Sequence, residues 1–556
     1  MKTTSIRIAV FGLSLLIPSL AFSQDPGRDL DGKEYIIVKD FKPTLSESRK
    51  VTGSPSGDTT TFRPAVMEYP FIARKADTYY ETAAISAVKI KDEPLAKLYR
   101  CYLKAGGGNY SKYLGELYVN SLRSKKGAIG LTARHLSGDP TFKGFNNAAY
   151  SSNTGKLDGM YFIEHARLDG AVDFDRQAVR YYAVPDTDSI LSDSLRQRYV
   201  NIAAHVGISS TVTDSAQLHY TADISYSSLT ADFGASETEF RINGGFRKRF
   251  NELLGGVDLD VDVFTKKDEE AVKASNSLNL DRNIIRVNPY VASHRDRILF
   301  KAGAKIEYQT NEETDLHFFP QLDLRVPVSE GVLSVFASVD GGLEKNNYHT
   351  VTTDNPFVDP LVLFKNTIRM IDIVGGINGN ISDAFSFIGR VGYASYRDMQ
   401  LYAGQPSRIN TFTLIYDDAS RFNLHGELCY RSSEKLGVSL QLDQFSYKMD
   451  LQKYAYYRPS TVATLKADYN LKDKILVKAA LFGIGGRYGV EVDTAGAQTY
   501  YKLKPYIDAN LGLEYRYSKI LSAFVNFNNV GFAKFQQWYG YPMERLNVMG
   551  GITYSF

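Results

Sequence analysis

Residues 547–556, with the sequence NVMGGITYSF, decide the fold of this chain. Neighbouring residues alternate in character, because Val548, Ile552, Tyr554 and Phe556 fall on one side of an extended strand and mostly small or polar residues on the other. The sequence stops on an aromatic residue. Taken alone, this pattern fits either an ordinary strand at the end of the chain or the closing strand of a β-barrel. The other end of the chain helps to decide between these two interpretations.

Residues 1–23 predict a secretory signal peptide. Lys2 and Arg7 give a basic start, residues 8–20 are apolar, and Ala21-Phe22-Ser23 is a small-x-small cleavage site. The apolar stretch is shorter than the roughly 20 residues that span a bilayer, and no second long apolar run follows. If such an exported chain resides in a membrane, it must do so as a closed β-barrel, since only helices and closed barrels satisfy every backbone group in lipid.

Composition and charge agree with a membrane barrel. The chain contains 38 Tyr and 31 Phe but 1 Trp, and tyrosine suits the aromatic girdles at the two interfaces of such a barrel. With 65 basic and 62 acidic residues the formal net charge is +3. That balance gives no argument for nucleic-acid binding.

Alternation of apolar and polar residues continues through most of the chain from about Leu98 onward. The clearest case is residues 507–517, where Ile, Ala, Leu, Leu, Tyr and Tyr form one face and Asp, Asn, Gly, Glu and Arg the other. Similar strands are predicted at 257–263, 322–328, 333–339, 422–430 and 463–471. Apolar-out, polar-in strands of about ten residues are the pattern of transmembrane barrels.

Ten short polar turns divide this pattern and give the predicted strand count. They are read at 124–127, 168–170, 213–216, 251–256, 294–297, 329–331, 382–384, 433–435, 472–474 and 518–519. Ten turns predict an all-β, antiparallel transmembrane β-barrel of roughly 22 strands, with a range of 14 to 22, over residues 96–556. The longer segments at 139–156, 184–196, 346–362 and 400–410 are predicted to face outside.

Residues 24–95 read as a short, extended, proline-rich periplasmic segment rather than a folded domain. Within it, Glu34-Tyr35-Ile36-Ile37-Val38-Lys39 is strand-prone. One interpretation is a linker that happens to contain apolar residues. The other is a segment that adds a strand to a periplasmic partner or folds into the barrel lumen.

Charged residues in the hairpin 241–263 are the candidate lumen site. Arg247 and Arg249 alternate with phenylalanines, and Asp258, Asp260 and Asp262 alternate with aliphatic residues. Closing the hairpin over 251–256 predicts the cross-strand pairs Arg249–Asp258 and Arg247–Asp260, with Phe250 beside Val257. This lumen charge ladder is either a structural network or a charged constriction that selects solutes.

No enzymatic or cofactor motif emerges from the sequence. G-x-S-x-G, H-E-x-x-H and paired C-x-x-C are absent. The D-x-D-x-D of residues 258–262 lacks the Gly and the distal Glu of a calcium loop. We therefore expect no enzyme activity, no cofactor and no metal.

The end of the chain resembles known outer-membrane proteins. Gly551, Tyr554 and Phe556 resemble the carboxyl-terminal signal of bacterial outer-membrane β-barrels, although Met549 stands where a polar residue is usual. The wider stretch, with VNFNN at 525–529, WYGYP at 538–542, Arg545 and the terminal ITYSF, is similar to the end of TonB-dependent receptors. That resemblance implies a 22-strand barrel in the outer membrane.

One feature departs from the TonB-dependent pattern. Those receptors carry a folded plug domain ahead of the barrel, whereas residues 24–95 are few and their proline-rich composition does not predict a globular plug. The layout resembles a Bacteroidetes group of TonB-dependent-receptor-like barrels without a plug.

The expected function is a pore or receptor-like transporter for an unidentified solute. The alternative is a structural or assembly subunit of a multi-protein outer-membrane complex. Expected partners are outer-membrane lipid, the barrel-assembly machinery during insertion, and a periplasmic or surface protein.

Overall fold

Extended strands account for nearly all of the regular structure in the part of the chain that can be described. The computed structural model describes residues 98–556, except 123, 146, 185–194, 215, 269–279, 296, 311–313, 406–409, 434 and 494. Its helix, α1, is Tyr348–Asp354, and its strands are β1 (Cys101–Gly108), β2 (Lys112–Asn120), β3 (Gly127–Gly138), β4 (Tyr150–Ile163), β5 (Ala166–Arg180), β6 (Arg196–Ser210), β7 (His219–Ala231), β8 (Ala235–Phe250), β9 (Leu253–Asp268), β10 (Leu280–Arg295), β11 (Ile298–Thr310), β12 (Thr314–Ser329), β13 (Leu333–Glu344), β14 (Thr367–Ser382), β15 (Phe385–Gln405), β16 (Thr411–Ser432), β17 (Leu436–Met449), β18 (Thr461–Leu471), β19 (Ile475–Ile484), β20 (Arg487–Val492), β21 (Gln498–Leu503), β22 (Tyr506–Arg516), β23 (Leu521–Asn528), β24 (Gln536–Trp538), β25 (Tyr541–Pro542) and β26 (Asn547–Ser555). Within the described part of the chain, no helix is long and apolar enough to cross a membrane.

Twenty-two of these strands close into an antiparallel barrel, as predicted. Each strand from β1 to β18 pairs with the next, and β19 pairs with β22. The wall then continues through β22 and β23 to β26, which returns to β1. The hairpins β20–β21 and β24–β25 lie in connections at one end of the wall.

The two ends of the barrel differ in the length of their connections. At one end the turns are short, down to two residues at 164–165 and 251–252, while the other end carries long loops such as 345–366, 485–505 and 529–546. Outer-membrane barrels have short periplasmic turns and longer extracellular loops. The loop end is therefore the outer end of this barrel.

Nine of the ten predicted turns coincide with or overlap an observed turn at the short-turn end of the barrel. The prediction at 168–170 is wrong, because these residues lie inside β5 and the turn is at 164–165. Gly170 is the cause: a Cβ added there would meet the carbonyl oxygen of His205 at 3.0 Å. The glycine marks the close approach of a neighbouring strand rather than a turn.

Exposed aromatic residues mark the membrane-facing belt. On β8, Phe240 and Phe250 are 40% and 61% exposed and lie ten residues apart. Ten residues at about 3.4 Å each, tilted by about 45°, span about 24 Å, which matches the apolar band of such barrels. Further exposed aromatics in the inner girdle are Tyr161, Phe300, Phe385, Tyr469, Tyr515, Tyr554 and Phe556, and those in the outer girdle are Phe174, Tyr226, Tyr308, Phe318, Tyr393 and Phe422.

The carboxyl-terminal strand closes the barrel. β26 pairs with β23 on one side and with β1 on the other, and the backbones of Cys101 and Phe556 exchange two hydrogen bonds of 2.9 Å. Met549, the departure from the usual terminal pattern, is 8% exposed and packs against Leu114 and Phe524. A small apolar cluster at this seam therefore takes the place of the usual polar residue.

Glycine at position 551 is required for this closure. A Cβ there would meet the carbonyl oxygen of Ala105 at 2.1 Å and the ring of Phe524 at 2.7 Å. We expect Gly551→Ala to block closure of most molecules, because the backbone of β1 cannot withdraw without breaking the ladder. The matched control is Gly550→Ala, whose Cβ would meet its nearest atom at an ordinary 3.6 Å. Heat-modifiable migration on a gel measures folding, and equal folding of the two variants would contradict this account.

Candidate functional site

Loops from around the rim meet in one apolar core at the outer end, which we call the loop cap. The connections that follow β3, β5, β13, β15, β17, β19 and β23, with the adjoining strand ends, contribute to it. Its largest fully buried side chains are Tyr181, Tyr348, Tyr456, Tyr541, Phe412, Leu195, Leu401, Val351, Val358 and Val490. Side chains that exclude water this completely require close packing, so the described loops pack against one another at the outer end.

Trp538, the only tryptophan in the chain, lies inside the loop cap and is 6% exposed. Its ring centroid is 4.8 Å from that of Tyr402, 4.9 Å from that of Tyr457 and 5.5 Å from that of Phe412. Trp538 and Tyr457 come from two different connections, and Tyr402 and Phe412 from the outer ends of β15 and β16. Aromatic pairs at these distances stabilise by about 0.5–1.5 kcal/mol each beyond simple burial, so Trp538 joins the loops to one another.

Buried tyrosine hydroxyls add directional contacts between loops. Tyr182 donates to the carbonyl of Pro542 at 2.8 Å, and Tyr541 donates to the carbonyl of Asn410 at 2.8 Å. Burial raises the pKa of both hydroxyls well above their ordinary value. Both therefore stay protonated and remain donors at any physiological pH.

Residues 345–366, the connection between β13 and β14, cross the mouth and are called the strap here. Tyr181 donates to the carbonyl of Val358 at 3.2 Å, and Tyr199 donates to that of Pro356 at 2.9 Å, both from the β5–β6 side. Val358 also pairs with Phe412 at the start of β16. Because β5 and β16 lie far apart around the wall, the strap spans the lumen.

Two carboxylates on β8 hold the start of the strap. Glu237 accepts hydrogen bonds from the backbone N–H groups of Tyr348 (2.7 Å) and His349 (3.1 Å). These N–H groups open α1 and have no partner within the helix. Glu239 accepts from the side chains of Lys345 and Asn347, the N-cap of α1.

His349 itself is held in a mostly buried position next to these carboxylates. Burial lowers the pKa of its imidazole, although the nearby carboxylates of Glu239 and Asp175 act in the opposite direction. The closed strap therefore favours the neutral form of this histidine.

Two cations on the neighbouring strands hold the second half of the strap. Lys266 of β9 donates to the carbonyl of Pro360 at 2.6 Å and to Asp268 at 2.7 Å, and it is only 2% exposed. Arg282 of β10 donates to the carbonyl of Phe364. A buried cation bonded to a backbone carbonyl is costly to leave unpaired, so these contacts fix the return path of the strap.

A charge network lines the lumen wall beside the strap. Asp262 is fully buried, accepts two bonds from Arg241 at 2.6 and 3.1 Å and one from Arg286 at 2.8 Å, and lies 3.6 Å from Lys345 of the strap. Arg286 also bonds Asp260. The network borders a polar cavity of about 780 Å³ whose wall also includes Lys305, Glu307 and Arg369.

The predicted pairing of the charge ladder is wrong by four residues. β8 runs to Phe250 and β9 starts at Leu253, so Arg249 lies opposite Leu254 and Arg247 opposite Gly256. Phe250 faces Leu253 and not Val257. The reason is the turn, which needs only Asn251 and Glu252, with Asn251 at a φ of 54° that favours tight hairpins.

The corrected register changes the partners of the aspartates but not their face. Asp258 lies opposite Gly245, Asp260 opposite Asn243 and Asp262 opposite Arg241. A shift by an even number of residues keeps each side chain on the same side of the sheet. Asp260 and Asp262 join the network, whereas Arg249 lies lower on the wall.

Sequence reasoning missed most of the strap contacts. Glu237, Glu239 and Arg241 continue the same alternating polar face of β8, and extending the pattern toward the start of the strand would have found them. Lys345 and Arg282 gave no such signal, because their contacts join segments more than 80 residues apart. The candidate partner segment of residues 34–39 lies outside the described residues.

Comparison with solved structures finds the same fold in outer-membrane proteins of other bacteria. It is similar to the FrpB iron transporter from Neisseria meningitidis (F3-3 variant), with a TM-score of 0.66, 12% identity, and coverage of 83% of this chain and 82% of that one. It is also similar to the pyoverdine outer membrane receptor FpvA from Pseudomonas aeruginosa PAO1, with a TM-score of 0.62, 12% identity, and coverage of 84% of this chain and 79% of that one. A third similar structure is the copper transporter OprC, with a TM-score of 0.61, 11% identity, and coverage of 84% of this chain and 82% of that one.

The chain has the fold of a 22-strand outer-membrane β-barrel. At 11–12% identity the similarity concerns the fold. No protein-family model matches the sequence, and no curated protein matches it either. The similarity agrees with the predicted location in the outer membrane and with the 22 strands that the TonB-dependent resemblance implied. The predicted absence of a plug domain concerns residues outside the described part and stays a prediction.

Proposed function

We propose that this protein is a gated, receptor-like transporter of the outer membrane, and that the strap with the loop cap forms its outer gate. The observation that carries the proposal is the strap itself, which crosses the lumen between β5–β6 and β16 and is buried in the cap. An open pore has no use for a buried loop core across its mouth. The similar barrels bear names of receptors and transporters, which supports passage rather than enzymatic chemistry.

The strap is built in a way that suits reversible movement. Its ends are held by polar contacts to the wall, among them those of Glu237, Glu239 and Lys266. Hydrogen bonds to charged groups contribute about 1.5–3 kcal/mol each and can be exchanged for bonds to water. A solute or partner that competes for these contacts on one side shifts the strap toward an open state by its difference in affinity for the two states.

The second candidate is a structural or assembly subunit of an outer-membrane complex. The occluded mouth favours it as well, because a scaffold needs no path through its lumen. In that case residues 24–95, including Glu34–Lys39, and the outer surface of the cap hold the partners. We expect lipid and the barrel-assembly machinery as further partners in both cases, and no cofactor or nucleic acid.

Single-channel recording separates the two candidates. For a transporter, the purified full-length protein is expected to show brief openings, and Glu237→Gln with Glu239→Gln to raise their frequency without changing their amplitude. The reason is that the double variant weakens the strap but leaves the lumen intact. Glu514→Gln, a lumen carboxylate paired with Arg516 and remote from the strap, is the control. A complete lack of openings in all three, with a partner that co-purifies in fixed ratio, would favour the scaffold.

A further inference from the structure

A lysine interrupts the lipid-facing row of β8. Lys248 is exposed and lies on the same side of the strand as Phe246 and Phe250, which are 44% and 61% exposed. Phe250 belongs to the inner aromatic girdle, and Lys248 is two residues further into the apolar band. On the described strands, no other lipid-facing position between the two girdles carries Asp, Glu, Lys or Arg. A charge on the lipid face costs stability, so this position calls for a partner of opposite charge.

The ammonium group of Lys248 lies close to the inner edge of the membrane. Two residues of a tilted strand place its Cα about 5 Å from the level of Phe250, and its Nζ is 5.7 Å from the centre of the Phe250 ring. Lysine side chains on a lipid face lay their stem along apolar surface and bring the charge to the head-group level. No carboxylate of the described residues pairs with Lys248. The anion within reach is therefore the phosphate of a lipid.

A groove of about 510 Å³ opens on the barrel wall beside Lys248. In the sheet register, the row across the wall runs from Lys248 to Gly255, Val291 and Ala302. Gly255 leaves a gap next to the lysine, and a Cβ built there would meet the ring of Phe250 at 3.4 Å. The ring therefore leans over the gap, and the small side chains of the row continue it across β9, β10 and β11.

The lining of this groove is mostly apolar. Phe246 pairs with Val257 across β8 and β9, Pro289 of β10 lies opposite Val257, and Leu218 reaches the groove from the β6–β7 turn. Water is absent from this depth of the membrane, and an empty groove would forfeit the dispersion contacts of its walls. A hydrocarbon chain is therefore the occupant that fits both the lining and the depth.

We propose that Lys248 and this groove bind one phospholipid of the periplasmic leaflet, with an acyl chain along the groove and the phosphate on the ammonium group. The site is independent of the proposed gate, which lies at the other end of the barrel. A lipid without phosphate would fill the groove but leave the charge unmet, and free phosphate would meet the charge but leave the groove empty. The experiment therefore has to test both halves of the site.

Native mass spectrometry of the delipidated full-length protein in detergent tests the proposal with phosphatidylglycerol as the probe. Lys248→Gln is expected to weaken its binding about fivefold, the usual effect of one lysine at a membrane surface. Ala302→Phe fills the groove and is expected to weaken it about tenfold, since displacing two methylene groups suffices for that. The matched controls are Lys519→Gln in the β22–β23 turn and Ala523→Phe, at an exposed alanine opposite Tyr515 of the same girdle. Both controls should leave binding unchanged.

Two further probes separate the halves of the site. Diacylglycerol, which has no phosphate, is expected to lose affinity in Ala302→Phe but not in Lys248→Gln, and inorganic phosphate is expected not to compete with phosphatidylglycerol. Wild-type binding of phosphatidylglycerol by either variant would overturn the proposal, because one half of the site would then not contact the lipid. A dimer that Ala302→Phe abolishes, with lipid binding unchanged, would overturn it by assigning the groove to a second copy of the chain. Unchanged heat-modifiable migration confirms that each variant is folded.

Discussion

Replacement of Trp538 with alanine is expected to open the outer mouth to small solutes. Removing a buried tryptophan side chain typically costs 3–5 kcal/mol, and every 1.4 kcal/mol changes an equilibrium about tenfold. Trp538 joins its own connection to Tyr457 of the β17–β18 connection and to Tyr402 and Phe412 at the ends of β15 and β16, so the loss falls on the closed state of the cap. The closed-to-open ratio should fall by about two to three orders of magnitude or more, measured as sugar leakage from proteoliposomes.

Trp538→Phe is the control for this variant. Phenylalanine keeps a ring in the same place and removes less volume, so leakage should rise only slightly. Trp538 lies outside the paired strands of the wall and touches β15 and β16 only at their outer ends, so the folded barrel should migrate normally in both variants. Leakage from Trp538→Ala that equals the wild-type value would show that the cap does not limit passage.

Replacement of Asp262 with asparagine is expected to cause the largest loss of barrel stability. Asp262 is fully buried and faces Arg241, Arg286 and Lys345. Breaking a buried ion pair from one side costs about 3–5 kcal/mol, because the remaining charge is uncompensated. Arg241 is about one third exposed and regains some water, so we expect about 3 kcal/mol, the lower end of that range. Urea unfolding in lipid vesicles measures the free energy of unfolding.

A double-mutant cycle tests the register behind this expectation. The pair Arg241 and Asp262 should show a coupling energy of about 1.5–3 kcal/mol, as residues in one network do. The pair Arg249 and Asp258, which the sequence had predicted to be partners, should show almost none, since Arg249 lies opposite Leu254. Coupling in the second pair and none in the first would restore the register expected from a six-residue turn.

Local periodicity predicted the wall of the barrel well, and the reason is physical. Each strand must place apolar residues toward lipid and polar residues toward the lumen, so the sequence of 507–517 reveals β22 directly. Turns were visible for the same reason, except where Gly170 served strand packing. The exact register of β8 and β9 could not be predicted, because it depends on whether Asn251 and Glu252 alone complete the turn.

Local sequence patterns could not predict the candidate site. Val358, Phe412 and Trp538 meet only after the barrel has closed and brought the ends of distant strands together. Nothing in the immediate sequence of the strap indicates that Glu237 binds its backbone. Loops that bury aromatic residues look like any other aromatic-rich segments until their partners are known.

Deletion of the strap tests the central claim most directly. Residues 346–365 would be replaced with a short Gly-Ser linker, and conductance recorded in a planar bilayer with residues 24–95 present and again without them. We predict steady conductance from the strap-deleted barrel and brief openings from the full-length protein. A strap-deleted barrel that stays silent in both forms would contradict the account, because the closure would then lie elsewhere in the lumen.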